Sequence, residues 1–399
     1  MNKLAITLPA IPGQVSSKSQ NSDENHFTPP HCVNPECPNF TRPKDGSTFW
    51  FKRFGTYDTA AFGTVQRYLC KKCGKSFSTQ SFSLDYYVKL PLDYRELLIP
   101  LLSSSGQGNI TRFSGVRYER IQNRFERMAR CFMAIHATLR EYTSPKEDFV
   151  LDGFESFSYS QYFPNNINIL VGADTEYLYT MGFAQLRRKG RMTQKQKEMR
   201  EQLESVYGRA DPKAIELSVK SILTDACNFI KDKNLPDREL RTDEHKAYVR
   251  AIKKIPEFAR HFDHRQYSSK AARTPLNALF GANYADRQFR KDQANQTRET
   301  VQFARCPAAM MVRLSLYQFH HNYLMPRRVK EQRKGNWQTR GEYQGIETGI
   351  VLSVIKEMWG KRVFFNKTKL WKEEVKSWGM FWRNSKIENN RYVPKYIAA

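Results

Sequence analysis

Two cysteine pairs place the first limit on this chain. Cys32 and Cys37 form a C-x4-C pair, and Cys70 and Cys73 form a C-x2-C pair inside Arg67-Tyr68-Leu69-Cys70-Lys71-Lys72-Cys73-Gly74-Lys75. Two short cysteine turns joined by a hairpin supply the four thiolates that tetrahedral Zn²⁺ takes. Residues 31–80 are therefore expected to form a zinc ribbon around one structural zinc. Gly74 suits the tight turn that aims backbone N–H groups at sulfur, and Arg67, Lys71, Lys72 and Lys75 would face phosphate. His31 adjoins Cys32 and reads as a bystander. Cys131, Cys227 and Cys306 fall in apolar helical contexts and read as core thiols.

A chain of 399 residues exceeds one compact core, so several modules are expected. Hydrophobic residues make up 40% and aromatic residues 13%, which excludes a disordered chain. No run approaches the roughly 18–20 consecutive apolar residues of a membrane span, which points to a cytoplasmic protein. The 65 Lys and Arg against 40 Asp and Glu leave a net charge of +25 spread along the chain. Such a surplus favours a polyanion, and nucleic acid leads, because neutralising phosphates releases counterions.

Residues 1–30 are polar and aperiodic towards their end and read as a flexible leader. Helical periodicity runs from Leu92 to Leu139, interrupted by turn residues at 103–108, and defines a small helical domain at 90–142. Within it, Asn109–Phe113, the turn Ser114-Gly115-Val116 and Arg117–Arg130 form a helix-turn-helix candidate. Its second helix offers Arg117, Arg120, Gln122, Asn123, Arg124 and Arg127 to bases or phosphates, and buries Ile121, Phe125, Met128 and Phe132.

After Pro145 the period changes. Phe149–Phe154, Asn166–Ala173 and Tyr177–Ala184 read as an antiparallel meander. A helix with Ile215, Val219, Ile222, Ala226 and Phe229 on one face follows, then a short strand at Leu240–Asp243, a helix at Glu244–Ile252 and a long helical stretch around 283–323. This order gives an α/β domain at 147–325 with a mixed sheet and flanking helices, in which the fourth strand can lie beside the first. Asp152 then falls within an apolar strand, where a charge is costly without a metal or partner, and Asp243 ends the neighbouring one. Asp243 also fits a helix N-cap. Two converging carboxylates suit Mg²⁺, and a third from a helix would complete a two-ion clamp for phosphoryl displacement.

The order of these parts resembles bacterial insertion-sequence transposases, with a zinc ribbon, a helix-turn-helix and a ribonuclease-H-like domain carrying a DDE or DDD triad. The resemblance spans 31–325 and rests on Cys70–Phe77, on Leu-Asp-Gly-Phe-Glu-Ser-Phe at 151–157 and on Thr242–Tyr248, where a Thr-Asp is followed by Tyr five residues after the Asp. It implies a ribonuclease-H-like fold, cleavage of transposon ends and joining of the freed 3′ hydroxyl to target DNA. It also implies two Mg²⁺ or Mn²⁺ ions, with Asp152 bridging both and Asp243 and the third acid each holding one. That third acid should precede Arg298–Arg305 on a late helix, where Asp286 stands; the family's usual residue is Glu, and Glu299 is the alternative, with Asp292 behind it. Because two DNA ends are held together, a homo-oligomer on double-stranded DNA is implied. A non-catalytic DNA-binding regulator, or a metal-dependent nuclease without strand transfer, would share many of these features.

The segment 186–210 interrupts the α/β domain as a basic insertion, with Arg187, Arg188, Lys189 and Arg191 suited to a duplex backbone. The basic C-terminal region 326–399 carries Trp371, Trp378 and Trp382, which fit either base stacking or a helical cap. His320-His321-Asn322 sits on a helix, where histidines are more often structural.

Overall fold

The segment between the cysteine pairs doubles back as β1 (Phe51–Thr59) and β2 (Gly63–Cys70), and β3 (Ser76–Ser78) returns antiparallel beside β2. The computed structural model describes residues 27–41, 49–297, 299–335 and 337–383. Of the expected leader, 1–26 lie outside the described residues, while Phe27 packs on Tyr68 and Phe82. Phe40, Trp50, Tyr68, Phe77 and Phe82 give this module its own aromatic core, and Phe364, far away in sequence, closes it.

Three helices follow: α1 (Tyr94–Leu102), α2 (Gln107–Ser114) and α3 (Tyr118–Arg140). Gly115 ends α2 at φ +66°, a left-handed conformation that favours glycine. α3 runs one full face of apolar residues at its start, but from Arg124 onwards it is buried nearly all round. It is a core helix whose fully exposed residues are confined to its first turn.

The central sheet has five strands in the order β6-β5-β4-β7-β8, with β4 (Phe149–Phe157), β5 (Pro164–Gly172), β6 (Leu178–Gln185), β7 (Arg238–Thr242) and β8 (Phe262–Gln266). The meander is antiparallel, and β7 and β8 add parallel beyond β4. The arrangement is the mixed α/β sheet expected. The fifth strand was not foreseen, because Phe-Asp-His-Arg-Gln buries Phe262 alone and shows no alternation to read.

Helices cover both faces. α4 (Gln194–Tyr207) lies on the surface, with no buried residue, and α5 (Ala214–Asp232) packs on β5 and β6. After α6 (Lys246–Ile252), α7 (Phe280–Asp292) packs on β4 and β5. Gly182 faces Ser218 of α5, whereas Phe154, on the opposite face by the alternation of the register, meets Phe289 of α7. The helical stretch expected around 283–323 divides into α7 and α8 (Pro307–Phe319), extended by a π-helical turn at His320–Leu324. Pro307 explains the restart, since a missing N–H costs nothing at the first helical position.

The chain ends in α9 (Val329–Arg333), α10 (Arg340–Tyr343), α11 (Thr348–Met358) and α12 (Lys372–Arg383). α12 packs against α3, α5, α8 and β6. Trp371 and Trp378 are buried there and cannot serve as stacking platforms for bases; the side chain of Trp382 lies outside the described residues.

Candidate functional site

β4 and β7 run parallel, with Phe149 opposite Leu240, Val150 opposite Arg241 and Leu151 opposite Thr242. Asp152, within β4, and Asp243, just past the end of β7, are the next residues, so they lie side by side where β7 ends. The Asp152 carboxylate accepts the Gly153 N–H at 2.7 Å, and that of Asp243 accepts the His245 N–H at 2.8 Å. Asp243 does not cap α6; His245 does, its Nδ1 accepting the Ala247 N–H at 3.3 Å.

Asp286 approaches from α7. Ala282, Ala285 and Phe289 form the face of that helix turned to the sheet, and Phe289 meets Phe154 edge-on at 5.5 Å. Gly281 permits the approach, because a Cβ there would lie 2.7 Å from the Gly172 carbonyl oxygen. Burial, then the charges of Asp243 and Glu155, push the Asp152 carboxyl up to about 6 against the Gly153 N–H and Arg273. Burial and then Asp152 push Asp286 up to about 7 against Arg290 and Arg273. Burial, then Asp152, Asp243, Asp286 and Glu155, hold the Tyr248 phenol well above its usual range. The acids and Tyr248 thus share one electrostatic neighbourhood.

Among the described residues, none of the three aspartates has a lysine or arginine within salt-bridge distance, in a chain with a cation surplus. Hard oxygen donors whose charge is raised in energy by burial and by each other fit a divalent cation. The three carboxylates do not all close to within 4.8 Å of one another. Glu299 lies in an exposed turn beyond α7 at φ +54°, and the charges acting on Asp286 are those of Asp152, Arg290 and Arg273. Asp292 accepts the Tyr317 hydroxyl at 2.8 Å. Arg273 went unread in the sequence: it sits in the turn-rich loop between β8 and α7, where no periodicity marks it, and only the fold brings its charge to the acids.

The four sulfurs of Cys32, Cys37, Cys70 and Cys73 lie within 4.8 Å of one another. Cys32 and Cys73 are 3.6 Å apart and Cys37 and Cys70 3.8 Å. A tetrahedron with Zn–S bonds of about 2.3 Å has edges of about 3.8 Å, so the cluster fits one structural zinc. The Asn34 N–H and the Asn39 amide each reach a sulfur at 3.4 Å, and Gly74 turns at φ +68°. Burial pushes the Cys32 and Cys37 thiols up; at Cys70 it is outweighed by the Asn39 amide and the N–H groups of Cys73 and Lys72, which bring that thiol to about 7. His31 bonds the Cys32 carbonyl and packs among Phe40, Phe82 and Phe364. Cys131 and Cys227 are core thiols, but Cys306 is not: it caps α8, its sulfur accepting the Ala309 N–H, because Pro307 fixes the helix start just after it.

The cations of α3 divide into two sets. Arg117 and Arg120 lie in and just before the first turn, facing solvent fully and in part. Arg124 and Arg127 turn inward, donating to the Leu90 and Leu84 carbonyls and sharing the Asn123 side chain. The Gln122 amide donates to Glu126. In the basic insertion Arg187 pairs with Glu204 through its Nε and Nη2, at 2.6 and 2.9 Å, and Arg188 stacks on Tyr162, while Lys189 and Arg191 are exposed. His321 bonds the Glu176 carbonyl and Asn322 the Leu178 backbone, both buried.

No family model matches this chain, and no curated protein matches it. Among solved structures it is similar to a chain of the simian T-cell lymphotropic virus intasome in complex with PP2A regulatory subunit B56 gamma, seen by cryo-electron microscopy. The identity is 10%, the match covers 62% of this chain and 74% of that chain, and the TM-score of 0.26 is too low to carry an argument. No helix among the described residues is long and apolar enough to cross a membrane.

Proposed function

We propose that this protein is a DNA transposase whose ribonuclease-H-like domain, residues 147–325, cuts transposon ends and transfers the freed strand. One observation carries the reading: parallel pairing of β4 with β7 sets Asp152 of β4 beside Asp243 at the end of β7, with Asp286 of α7 in the same field and, among the described residues, no lysine or arginine bonded to any of them. Asp152, Asp243 and Asp286 would hold Mg²⁺ or Mn²⁺. Divalent cations there supply Lewis-acid activation of the attacking oxygen and stabilise the leaving oxygen. Arg273 offers a charge to the scissile phosphate, and the buried Tyr248 closes the floor against water.

The zinc module at 31–80 and the helices at 90–142 are the parts that recognise the ends. Within them Arg117 and Arg120 are placed as a recognition helix uses its first turn, on base edges or phosphates. Lys189 and Arg191 serve the flanking backbone, and synapsis of two ends makes the working form a homo-oligomer on DNA.

The test supplies purified protein with a labelled transposon end and Mg²⁺. Cleavage followed by joining is expected. Asp152→Asn should reduce it by at least about a thousandfold, as for loss of a principal electrostatic element, with DNA binding retained. Cutting without joining makes the protein a nuclease, and binding without cutting makes it a regulator; either outcome would sink the proposal.

A further inference from the structure

A cavity of about 610 Å³ opens between the zinc module and α3, roofed by the connector at 83–90. Its size lies within the roughly 300–1,000 Å³ of small-molecule sites. α3 turns Arg120, Arg124, Arg127 and Arg130 onto this side, Lys89 stands on the connector, and the acid in the wall is Glu126. The hydrogen bonds of Arg124 and Arg127 run to carbonyls and to an amide, all neutral acceptors, and Asp85 pairs with Arg124. The buried Nε of Arg124 has no hydrogen-bond partner, with Asp85 no closer than 4.0 Å. Among the described residues, the side chains of Arg120 and Lys89 have neither hydrogen bond nor ion pair.

Two tyrosines report on this space. Tyr86 lies between the guanidiniums of Arg127 and Arg362, at 4.1 and 4.2 Å from its ring centroid. Burial alone would push its phenol up, yet Arg130, Arg127 and Arg362 bring it down to about 8, so the field there favours negative charge. Tyr87 is held at φ +57°, a strained conformation for a bulky residue, and the residue is 57% exposed where it lines the cavity.

We infer that this cavity binds a nucleoside monophosphate unit, with its phosphate on Arg120 and Lys89 and its base laid on Tyr87. The planar guanidinium fork matches phosphate oxygens, and an exposed aromatic face accepts any base. The unit has two sources, an unpaired nucleotide within a DNA strand or a free mononucleotide. The inference deepens the proposed function, since the first source is a feature of a processed DNA end.

The experiment uses the full zinc-loaded chain. Calorimetry compares dAMP, deoxyadenosine and inorganic phosphate, and fluorescence anisotropy compares a matched duplex with one carrying a single extrahelical nucleotide. We expect dAMP to bind at least about tenfold tighter than either fragment, as base stacking and phosphate contacts combine, and Tyr87→Ala and Arg120→Ala each to lose about tenfold. Both side chains are at least partly exposed, and thermal unfolding checks that the variants fold. A preference for the extrahelical duplex that Tyr87→Ala abolishes assigns the strand as the source; dAMP binding without that preference assigns the free nucleotide. Phosphate binding as tightly as dAMP, absence of both signals, or signals unchanged in both variants would overturn the inference. Loss of Mg²⁺-dependent cleavage with dAMP binding intact would remove the transposase reading and leave this one standing.

Discussion

His136 sits at the centre of the molecule with both ring nitrogens engaged. Nε2 donates to the Tyr179 carbonyl at 2.9 Å, so Nδ1 must accept the Tyr323 hydroxyl at 2.9 Å, and Tyr177 in turn donates to Tyr323 at 2.6 Å. Burial, then Arg140, lowers the imidazole to about 4 from its ordinary 6.5. Between those values the unfolded chain binds a proton that the fold refuses, so stability is full above pH 6.5 and falls as pH drops towards 4. The shift corresponds to about 3 kcal/mol. His136→Gln should flatten the urea-derived stability profile between pH 7 and 4.5, although His320 and His321, also lowered by burial, keep part of the slope. An unchanged slope in that variant would refute the assignment. Residue identity was legible where chemistry is written in spacing, as at the cysteines and at the strand-borne Asp152. It was illegible where tertiary contact decides: Arg124 and Arg127 look in sequence like Arg120, yet the connector at 83–90 turns them into internal donors.

At the level of elements, the least legible was the last. In sequence the basic tail fits either base stacking or a helical cap, but α12 docks through a buried pair: Arg140 of α3 bonds both carboxylate oxygens of Glu374 and stacks on Trp371 at 4.1 Å. The pair is nearly inaccessible, with side chains 0% and 5% exposed, so removing one member leaves a buried charge without its partner. Glu374→Leu and Arg140→Met should each cost about 3–5 kcal/mol alone, whereas the two together should recover most of that loss. Thermal and denaturant unfolding of the two single variants and the double variant measure the cycle, and additive losses would contradict the coupling. The meander and its parallel neighbour were readable because β5 closes on the apolar run Ile169-Leu170-Val171 and β4 opens on Phe149-Val150-Leu151 before its acids Asp152 and Glu155. β8 and the division between α7 and α8 were not, since the first borrows its order from β7 and the second depends on where the Gln293–Gln296 turn is buried.

The whole molecule is tied together from its C-terminal side, which bears on any attempt to isolate the sheet domain. Glu176, fully buried at the turn before β6 and held at φ +56°, faces Arg327, Arg328 and Arg340, all beyond residue 325. Trp359 packs on Phe132 of α3, and Trp378 and Phe381 of α12 are 2% and 0% exposed. Phe364 reaches the other way, into the core of the zinc module. A chain ending at Met325 would strand Glu176 as a buried anion and strip several large aromatic side chains from the core. Each such loss costs about 3–5 kcal/mol, against a total stability of about 5–15 kcal/mol for a typical domain. The losses exceed what the sheet can absorb, so residues 1–325 should lack a cooperative unfolding transition by calorimetry while the full chain shows one. A truncated chain melting within a few degrees of the full protein would show that 326–399 is an appendage. The expected result places the C-terminal helices among the structural supports of the acid site: they hold β6 and α3 in place, those hold β5 and β4, and β4 sets Asp152 beside Asp243.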